Sequence, residues 1–246
     1  MKKIIVMFSV AILSATTLFA QKTMKPEETE TWENEPPVVV PDGNYGAPSD
    51  AFLLLQDGLS EWESEKGSEA GWTYENGIIT VKPGAGVIQT KKGFGSMQLH
   101  IEWRSPEVLD PSKTGQARGN SGIFLQSRYE VQVLDSYKSR TYSNGQAASI
   151  YKQHIPQANA TTPPGTWQTY DIIYDAPEFD KKGKLVKPAY VTVIHNGVLA
   201  LNHVEIKGST EYIGIPEYKA HDEKMPLVLQ DHGNLVSYRN IWIREL

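Results

Sequence analysis

The stretch that decides the fold is residues 120–135, with the sequence NSGIFLQSRYEVQVLD. It predicts two strands joined by a short polar turn at Gln126 to Arg128. The second strand alternates between an apolar and a polar set, Tyr129, Val131 and Val133 against Arg128, Glu130 and Gln132. Because successive side chains of a strand point to opposite faces, one face is apolar and the other carries a carboxylate beside an amide. Such a polar face is more typical of the floor of a cleft than of an open sheet surface.

The rest of the chain from Asp50 continues as short strands separated by turn residues. Asn76-Gly77 and Asn196-Gly197 each lie between two runs of β-branched and aromatic residues, and Asn-Gly suits a hairpin turn that needs positive φ. His195 lies next to the second turn, and we expect it to be exposed. Roughly a dozen such strands predict an all-β fold, a β-sandwich or jelly roll, in one domain over residues 48–246.

The first 47 residues lack the pattern of the folded part. Residues 1–20 start with a basic segment, continue as a short apolar run and end at Ala20, which predicts a secretory signal peptide. Residues 21–47 are rich in Pro, Glu and Thr and predict a flexible leader. The sequence has no cysteine, so no lipid anchor is expected at the cleavage site and we expect a periplasmic or secreted protein. No later stretch predicts membrane insertion.

Composition narrows the function classes. The formal net charge is −5 and the basic residues are dispersed, which argues against nucleic acid as a partner. The sequence has no glycine-rich phosphate loop, no histidine and glutamate spacing typical of zinc sites and no serine-nucleophile motif. No cofactor is predicted with certainty, and a divalent metal such as a structural calcium ion in a loop is an open alternative.

Three pairs of polar residues, each two positions apart, mark strand faces that could line one cleft: Glu102 with Arg104, Glu130 with Gln132, and Gln230 with His232. Carboxylates and a histidine supply general acid and base, whereas arginine and amides bind hydroxyls or stabilise an oxyanion. Simpler explanations stay open: a solvated or ion-paired face for Glu102 and Arg104, and a strand-end turn for Asp231-His232.

The folded part contains a series of motifs, in order: Asp57-Gly58, Trp62, Trp72, Glu102-Trp103-Arg104, Asn120-Ser121-Gly122-Ile123, Tyr129 to Asp135, Trp167 to Ile172, His195-Asn196-Gly197-Val198, Leu229 to Gly233 and Val236 to Ile243. Together they resemble the 3-keto-disaccharide hydrolase domain family, formerly a domain of unknown function. The resemblance covers the chain from about Asp50 to Leu246.

The resemblance implies a concanavalin-like jelly-roll sandwich that acts on 3-keto disaccharides or other 3-ketoglycosides, which a separate sugar 3-dehydrogenase would make. A ketone at C3 acidifies the proton at C2, so that a general base can remove it and form an enolate. The anomeric group then leaves by β-elimination, and addition of water gives net hydrolysis of the glycoside.

Roles for individual residues follow from the strand faces. We expect Glu130 or His232 to be the base and Glu102 to be a partner acid or a substrate ligand. Arg104 and Gln132 are expected to bind the keto oxygen and hydroxyls. The remaining predicted substrate contacts are Asn120, which shapes the corner before the first strand, Gln230, and Tyr151, which lies in a brief strand predicted over residues 148–152 and could stack on a sugar ring.

Two other functions compete with this interpretation. An ordinary glycosidase with paired carboxylates would cleave unoxidised glycosides, and the fold class hosts such enzymes. A non-catalytic carbohydrate-binding module would bind sugar without turnover. A module of that kind needs exposed aromatic residues more than a cluster of two carboxylates and a histidine, which favours an enzyme.

Overall fold

The structure is a computed structural model that describes residues 24–41, 43, 46–107 and 110–246. The predicted signal peptide, residues 1–20, lies outside the described residues. Contacts divide the chain into residues 1–38 and residues 39–246. In the first unit the described residues are exposed and contain one 3₁₀ helix, Pro26–Glu28. Across the described residues, no helix has both the length and the apolar character that a membrane span requires.

The second unit is built from strands, of which fifteen lie in its described residues: β1 Phe52–Leu53, β2 Trp62–Ser64, β3 Thr73–Glu75, β4 Ile78–Thr80, β5 Ile88–Phe94, β6 Met97–Arg104, β7 Ser121–Leu125, β8 Tyr129–Val133, β9 Gln168–Asp175, β10 Glu178–Phe179, β11 Leu185–Lys187, β12 Tyr190–His195, β13 Val198–Glu205, β14 Met225–Leu229 and β15 Ser237–Glu245. Short 3₁₀ helices occupy Gly115–Ala117 and Ser143–Gly145.

The strands form two large antiparallel sheets and one small ribbon. The larger sheet has eight strands in the order β13-β12-β9-β6-β15-β4-β3, with β1 also paired to β15. The second sheet has the order β2-β5-β14-β7-β8, and β10 pairs with β11. The predicted all-β jelly-roll sandwich is confirmed.

Alternating apolar residues of both sheets fill the space between them. In β6, the residues Met97, Leu99, Ile101 and Trp103 are buried in the core, whereas the four polar residues between them are partly exposed. In β8 the core-facing residues are Tyr129, Val131 and Val133. Each sheet therefore has one face in the core and an outer face on its own side of the sandwich.

Both Asn-Gly sequences form the hairpin turns that the sequence predicts. Asn76 and Gly77 have φ values of 50° and 78° and join β3 to β4. Asn196 and Gly197 have φ values of 51° and 76° and join β12 to β13. Two successive residues with positive φ match the twist of the flanking strands, which is why Asn and Gly occupy both turns.

Two local predictions are wrong. Residues 148–152 form no strand, because Ala148 and Lys152 have φ values of 66° and 59° and interrupt the extended backbone, leaving Ile150 in isolated bridges to Val131 and His154. His195 is fully buried, because it continues the inward-facing positions of β12. Its ring lies 4.9 Å from that of Tyr170, and burial lowers its pKa to about 4.

The turn between β7 and β8 shows how a polar residue supports the core. Gln126 and Ser127 have φ values of 47° and 58°, although neither is glycine. The fully buried Gln126 amide donates to the carbonyl oxygens of Phe94 at 3.2 Å and Glu223 at 2.6 Å and accepts from the Tyr174 hydroxyl at 2.8 Å. This one side chain connects the hairpin to β5, to β9 in the other sheet and to the segment before β14.

We predict that Gln126→Asn lowers the free energy of unfolding by about 2–4 kcal/mol, because the shorter amide leaves buried donors and acceptors unpaired while asparagine still tolerates positive φ. Urea denaturation measures the change. Gln157→Asn, at an exposed side chain with no hydrogen bond to the described residues, is the control. An unchanged midpoint for Gln126→Asn would contradict the role given to this side chain.

Candidate functional site

A pocket of about 250 Å³ lies on the outer face of the five-stranded sheet. It brings together six residues singled out from the sequence, Asn120, Glu130, Gln132, Tyr151, Gln230 and His232. Four further residues complete its wall, Gln116, Phe124, Thr210 and Tyr212. The polar faces of β7 and β8 and the segment after β14 therefore form one site.

Strand β8 supplies the floor of the pocket. Its alternation turns Glu130 and Gln132 away from the core, yet all five residues of β8 are buried. The free edge of β8 is paired with two loops, because the Tyr151 amide donates to the Glu130 carbonyl oxygen at 3.1 Å and the Glu130 amide donates to the Thr210 hydroxyl at 2.9 Å. Tyr151 and Thr210 also line the pocket, so these two loops form its wall beside the floor.

A glycine makes room for the Glu130 carboxyl group. In the pairing of β7 with β8, Gly122 lies opposite Gln132 and Phe124 lies opposite Glu130. A Cβ atom at Gly122 would lie 2.5 Å from Oε1 of Glu130 and 2.9 Å from the Phe124 ring. The Glu130 side chain therefore lies across the glycine backbone, in space that any other residue would fill.

Amides line the polar side of the pocket. The Asn120 amide donates to the Gln116 carbonyl oxygen at 2.7 Å, and the Gln132 amide donates to Oε1 of Gln116 at 2.9 Å. The side-chain carbonyl oxygens of Gln132 and Gln230 are buried and have no partner among the described residues. Because buried polar groups are normally paired, these two oxygens are available to accept hydrogen bonds from a bound molecule.

The Glu130 carboxyl group is the most unusual feature of the pocket. Its residue is only 4% exposed, and no described side chain or backbone amide donates to the carboxyl oxygens. Burial without a compensating positive charge raises the pKa of Glu130 to about 8. Strongly perturbed carboxyl groups in pockets are characteristic of acid–base chemistry.

Tyr151 lines the pocket, and its hydroxyl group contacts that of Tyr142, which is not among the lining residues. The hydroxyl groups of Tyr142 and Tyr151 lie 2.6 Å apart, so that one donates to the other and one proton stays free to point elsewhere. Burial and the neighbouring Tyr142 hydroxyl raise the pKa of Tyr151 above its ordinary value. Tyr151 therefore stays protonated near neutral pH and can act as a hydrogen-bond donor.

His232 lies at the rim, where the chain leaves β14. The preceding residue, Asp231, accepts hydrogen bonds from the backbone amides of Gly84 at 2.8 Å and Gly86 at 3.1 Å, and from that of Gly233 at 2.9 Å. Asp231 therefore forms the strand-end turn that the sequence analysis gave as the simpler explanation for Asp231-His232. This turn places the exposed His232 at the edge of the pocket.

Comparison with known families identifies the family of this chain. Residues 52–244 match the family described as "3-keto-alpha-glucoside-1,2-lyase-like domain". The chain belongs to this family. The family predicted from the sequence motifs is therefore confirmed, and the chain is a carbohydrate-active protein similar to glycosyl hydrolases.

Solved structures of similar proteins agree with the family match. A crystal structure of a "putative glycosyl hydrolase" from Parabacteroides distasonis is 50% identical, covers 91% of this chain and 97% of its own, and has a TM-score of 0.85. Two other structures with the same description and organism are 21% and 19% identical, with TM-scores of 0.57 and 0.56; each covers 80% of this chain, and 94% and 99% of its own. These two support the fold alone. No curated protein matches the sequence significantly.

The expectation that Glu102 and Arg104 share this cleft is wrong. Both lie on β6 of the eight-stranded sheet, and their side chains point to its outer face, on the opposite side of the sandwich from the pocket. Glu102 instead accepts from the Arg239 guanidinium at 2.6 Å and the Asn240 amide at 3.0 Å. The Arg104 guanidinium lies 4.7 Å from the centre of the Trp167 ring. Glu102 therefore belongs to an ion-paired strand face, which is the simpler explanation that the sequence analysis left open for Glu102 and Arg104.

Four pocket residues were not predicted from the sequence of this family member. Phe124 could have been inferred, because it shares the outer face of β7 with Gly122. Gln116 lies in the short 3₁₀ helix Gly115–Ala117, and Thr210 and Tyr212 lie in the segment between β13 and β14. Nothing in their sequence surroundings indicates that these two segments lie next to β8.

The described residues offer no obvious metal centre. Within residues 24–41, 43, 46–107 and 110–246, no group of three or more His, Cys, Asp or Glu side chains is arranged to hold a metal ion. The open question of calcium is therefore one for experiment.

We predict that Glu130→Gln stabilises the protein as the pH rises. Below about pH 4.5 the carboxyl group is protonated in both the folded and the unfolded chain. Between about pH 4.5 and 8 only the unfolded chain ionises, so the wild-type protein loses stability with rising pH, and above pH 8 the loss is constant. Glutamine does not ionise, so the variant has no such loss. The free energy of unfolding of Glu130→Gln should exceed that of the wild type by up to about 5 kcal/mol at pH 8 and should equal it at pH 4.

Urea denaturation of both proteins at pH 4, 6 and 8 measures this effect. Glu102→Gln is the matched control, because it removes an ion pair with Arg239 and should give no pH-dependent gain. Equal stability of Glu130→Gln and wild type at pH 8 would show that the Glu130 carboxyl group is not held in a neutral state.

Proposed function

We propose that this protein cleaves 3-ketoglycosides by removing the proton at C2, eliminating the group at C1 and adding water. The observation that carries the proposal is the buried, unpaired Glu130 carboxyl group at the floor of an amide-lined pocket. The membership of the chain in a family described by 3-keto-glucoside lyase activity supports the same substrate class.

Glu130 is the base in the proposed mechanism. Its carboxylate takes the proton from C2, and the electrons of the C2–H bond form an enolate whose negative charge lies on the C3 oxygen. A carboxylate with a raised pKa is a stronger base than an ordinary one. The free proton of the Tyr142 and Tyr151 hydroxyl pair supplies a donor for the enolate oxygen.

Elimination and hydration complete the reaction. The ketone forms again at C3, a double bond forms between C1 and C2, and the leaving oxygen departs from C1 with a proton from protonated His232. Water then adds its hydroxide to C1 as His232 takes the other proton, and Glu130 returns its proton to C2. The net change is hydrolysis of the glycoside, and both residues regain their first states.

The amides bind the sugar ring. The free carbonyl oxygens of Gln132 and Gln230 accept hydrogen bonds from sugar hydroxyls, while Asn120 fixes Gln116 and through it the Gln132 amide. These groups hold C2 next to the Glu130 carboxylate. Positioning of this kind is a major part of rate enhancement in general.

The number of carboxylates in the pocket favours this mechanism over an ordinary glycosidase. Glycosidases with the usual mechanism need two carboxyl groups within about 5–10 Å of one another. Among the described residues that line the pocket, Glu130 is the only carboxylate, and Glu102 is engaged on the other sheet. The proposed elimination needs a single strong base and an acid at the rim.

The proposed biological setting follows from the substrate and from the first residues of the chain. A separate dehydrogenase must oxidise C3 of the sugar, because the pocket residues supply no oxidant. Residues 1–20 support export, so we propose that cleavage takes place in the periplasm or outside the cell.

We predict that the protein releases sugar from a 3-keto disaccharide and leaves the unoxidised parent intact. Glu130→Gln should lower kcat by about 10³-fold or more and His232→Ala by a smaller factor, since general acid–base groups contribute about 10²–10⁴-fold. Glu102→Gln should behave like the wild type. Incorporation of solvent deuterium at C2, with and without a chelator, tests the proton transfer and any metal requirement.

Cleavage of the unoxidised disaccharide at a comparable rate would instead support an ordinary glycosidase. Binding of both sugars without release of product would support a carbohydrate-binding module. Undiminished activity of both Glu130→Gln and His232→Ala would remove the proposed base and acid.

The pH dependence gives a separate prediction. Because His232→Ala leaves Glu130 as the remaining general acid–base residue of the proposed mechanism, kcat/KM of this variant for the 3-keto substrate should rise about tenfold per pH unit below the Glu130 pKa and level off near pH 8. Initial rates between pH 5 and 9 measure this profile. A profile that is already flat at pH 5 would mean that Glu130 is not the base.

A further inference from the structure

Residues 208–217 form a closed loop beside the pocket, which we call the tip loop. Its two ends meet, because the Ser209 amide donates to the Glu217 carbonyl oxygen at 3.1 Å. Gly208 has a φ of 139°, and a Cβ atom there would lie 2.4 Å from the carbonyl carbon of Glu217. Only glycine permits this close approach, so the base of the loop has a defined geometry.

The tip loop is attached directly to the strand that carries Glu130. The Thr210 amide donates to the Arg128 carbonyl oxygen at 2.8 Å, and the Thr210 hydroxyl accepts from the Glu130 amide at 2.9 Å. On the other side, the Lys152 ammonium donates to the Tyr212 carbonyl oxygen and lies 4.3 Å from the centre of the Tyr212 ring. These contacts fix Tyr212 at the mouth of the pocket.

The end of the tip loop exposes three large apolar side chains within four residues. Tyr212 is 70% exposed, and Ile213 and Ile215 are each 83% exposed. Single exposed apolar residues are common on protein surfaces, but a cluster joined to a pocket indicates a contact surface. Because Tyr212 also lines the pocket, the other two exposed apolar residues follow a pocket residue directly in the chain.

We propose that the tip loop binds the leaving group of the substrate and that this group is apolar, an alkyl or aryl aglycone. The inference rests on the proposed function. A pocket of about 250 Å³ is smaller than the roughly 300–1,000 Å³ of sites for drug-sized ligands, so it holds about one sugar ring and the group at C1 extends outside.

The chemistry of the tip loop selects the class of leaving group. The side chains of Ile213 and Ile215 have no hydrogen-bonding atoms, so a second sugar lying on them would lose water without gaining polar partners. An alkyl chain or an aromatic ring gains from the same contact by burying apolar surface. The tip loop therefore favours aglycones over a second sugar.

The test compares leaving groups of similar chemical reactivity. Methyl and octyl 3-ketoglucosides differ mainly in apolar surface, and a 3-keto disaccharide provides the sugar leaving group. We expect the wild-type kcat/KM to be about tenfold higher for the octyl than for the methyl substrate, since tenfold corresponds to about 1.4 kcal/mol. The double variant Ile213→Ser/Ile215→Ser should bring this ratio close to one, mainly because KM for the octyl substrate rises.

The matched control is Val186→Ser, which changes an exposed apolar residue of β11 outside the pocket lining and should keep the wild-type ratio. Thermal denaturation checks that both variants fold. Calorimetric binding of the octyl and methyl compounds to the same proteins provides a readout that does not depend on turnover.

Four outcomes would overturn the proposal. The octyl and methyl substrates could be equivalent in the wild type, or the preference could persist in the double variant. The wild type could prefer the disaccharide and lose that preference in the double variant, which would make the tip loop a sugar subsite. The double variant could instead only convert a dimer to a monomer, which would make the tip loop a self-association surface.

Failure of the proposed function is distinguishable from these results. If none of the 3-keto substrates is cleaved, the proposed reaction is wrong. Tighter binding of the octyl compound to the wild type than to the double variant would still support an apolar subsite, and equal binding would overturn it.

Discussion

The carboxyl group of Glu130 is buried without a hydrogen-bond partner, and the residues around it are arranged to accommodate this buried acid. A strand covered on both faces normally carries apolar side chains, but β8 places a carboxyl group and an amide on its covered outer face. The fold accommodates the carboxyl group with the bare backbone of Gly122 and pairs the edge of β8 with the segments around Tyr151 and Thr210. The cost is lost stability near neutral pH, which is the usual mark of a group retained for its reactivity.

The outer faces of the two sheets differ in whether their polar side chains are paired. The outer face of the five-stranded sheet carries the pocket, with free acceptor oxygens and a perturbed acid. The outer face of the eight-stranded sheet instead satisfies its charges internally. Glu102 pairs with Arg239, and the guanidinium groups of Arg104 and Arg239 lie 4.7 and 4.1 Å from the centre of the Trp167 ring. Similar residue types thus line a pocket on one sheet and form an ion-paired network on the other.

Much of the fold and the floor of the pocket could be predicted from the sequence. Period-two alternation identifies which side chains of β6 and β8 leave the core, and Asn-Gly marks two hairpins. Alternation does not say which sheet a strand joins, however, and the sequence therefore groups Glu102 with Glu130 although they lie on different sheets. The Asn196-Gly197 turn predicts an exposed His195, whereas the positions of Val191 and Val193 indicate its inward face. Thr210 and Tyr212 could not be predicted, because their placement depends on long-range hydrogen bonds to β8 and the turn before it.

The two hydrogen bonds of Thr210, one from the Glu130 amide and one to the Arg128 carbonyl oxygen, have a consequence for how this fold can vary. They attach an exposed loop to β8 through backbone and hydroxyl atoms, without using the Glu130 carboxyl group. Residues beyond Thr210 can therefore be lengthened, shortened or exchanged while β8 and Glu130 stay in place. A scaffold of this type can alter the mouth of its pocket through one surface loop and keep the floor of the pocket unchanged.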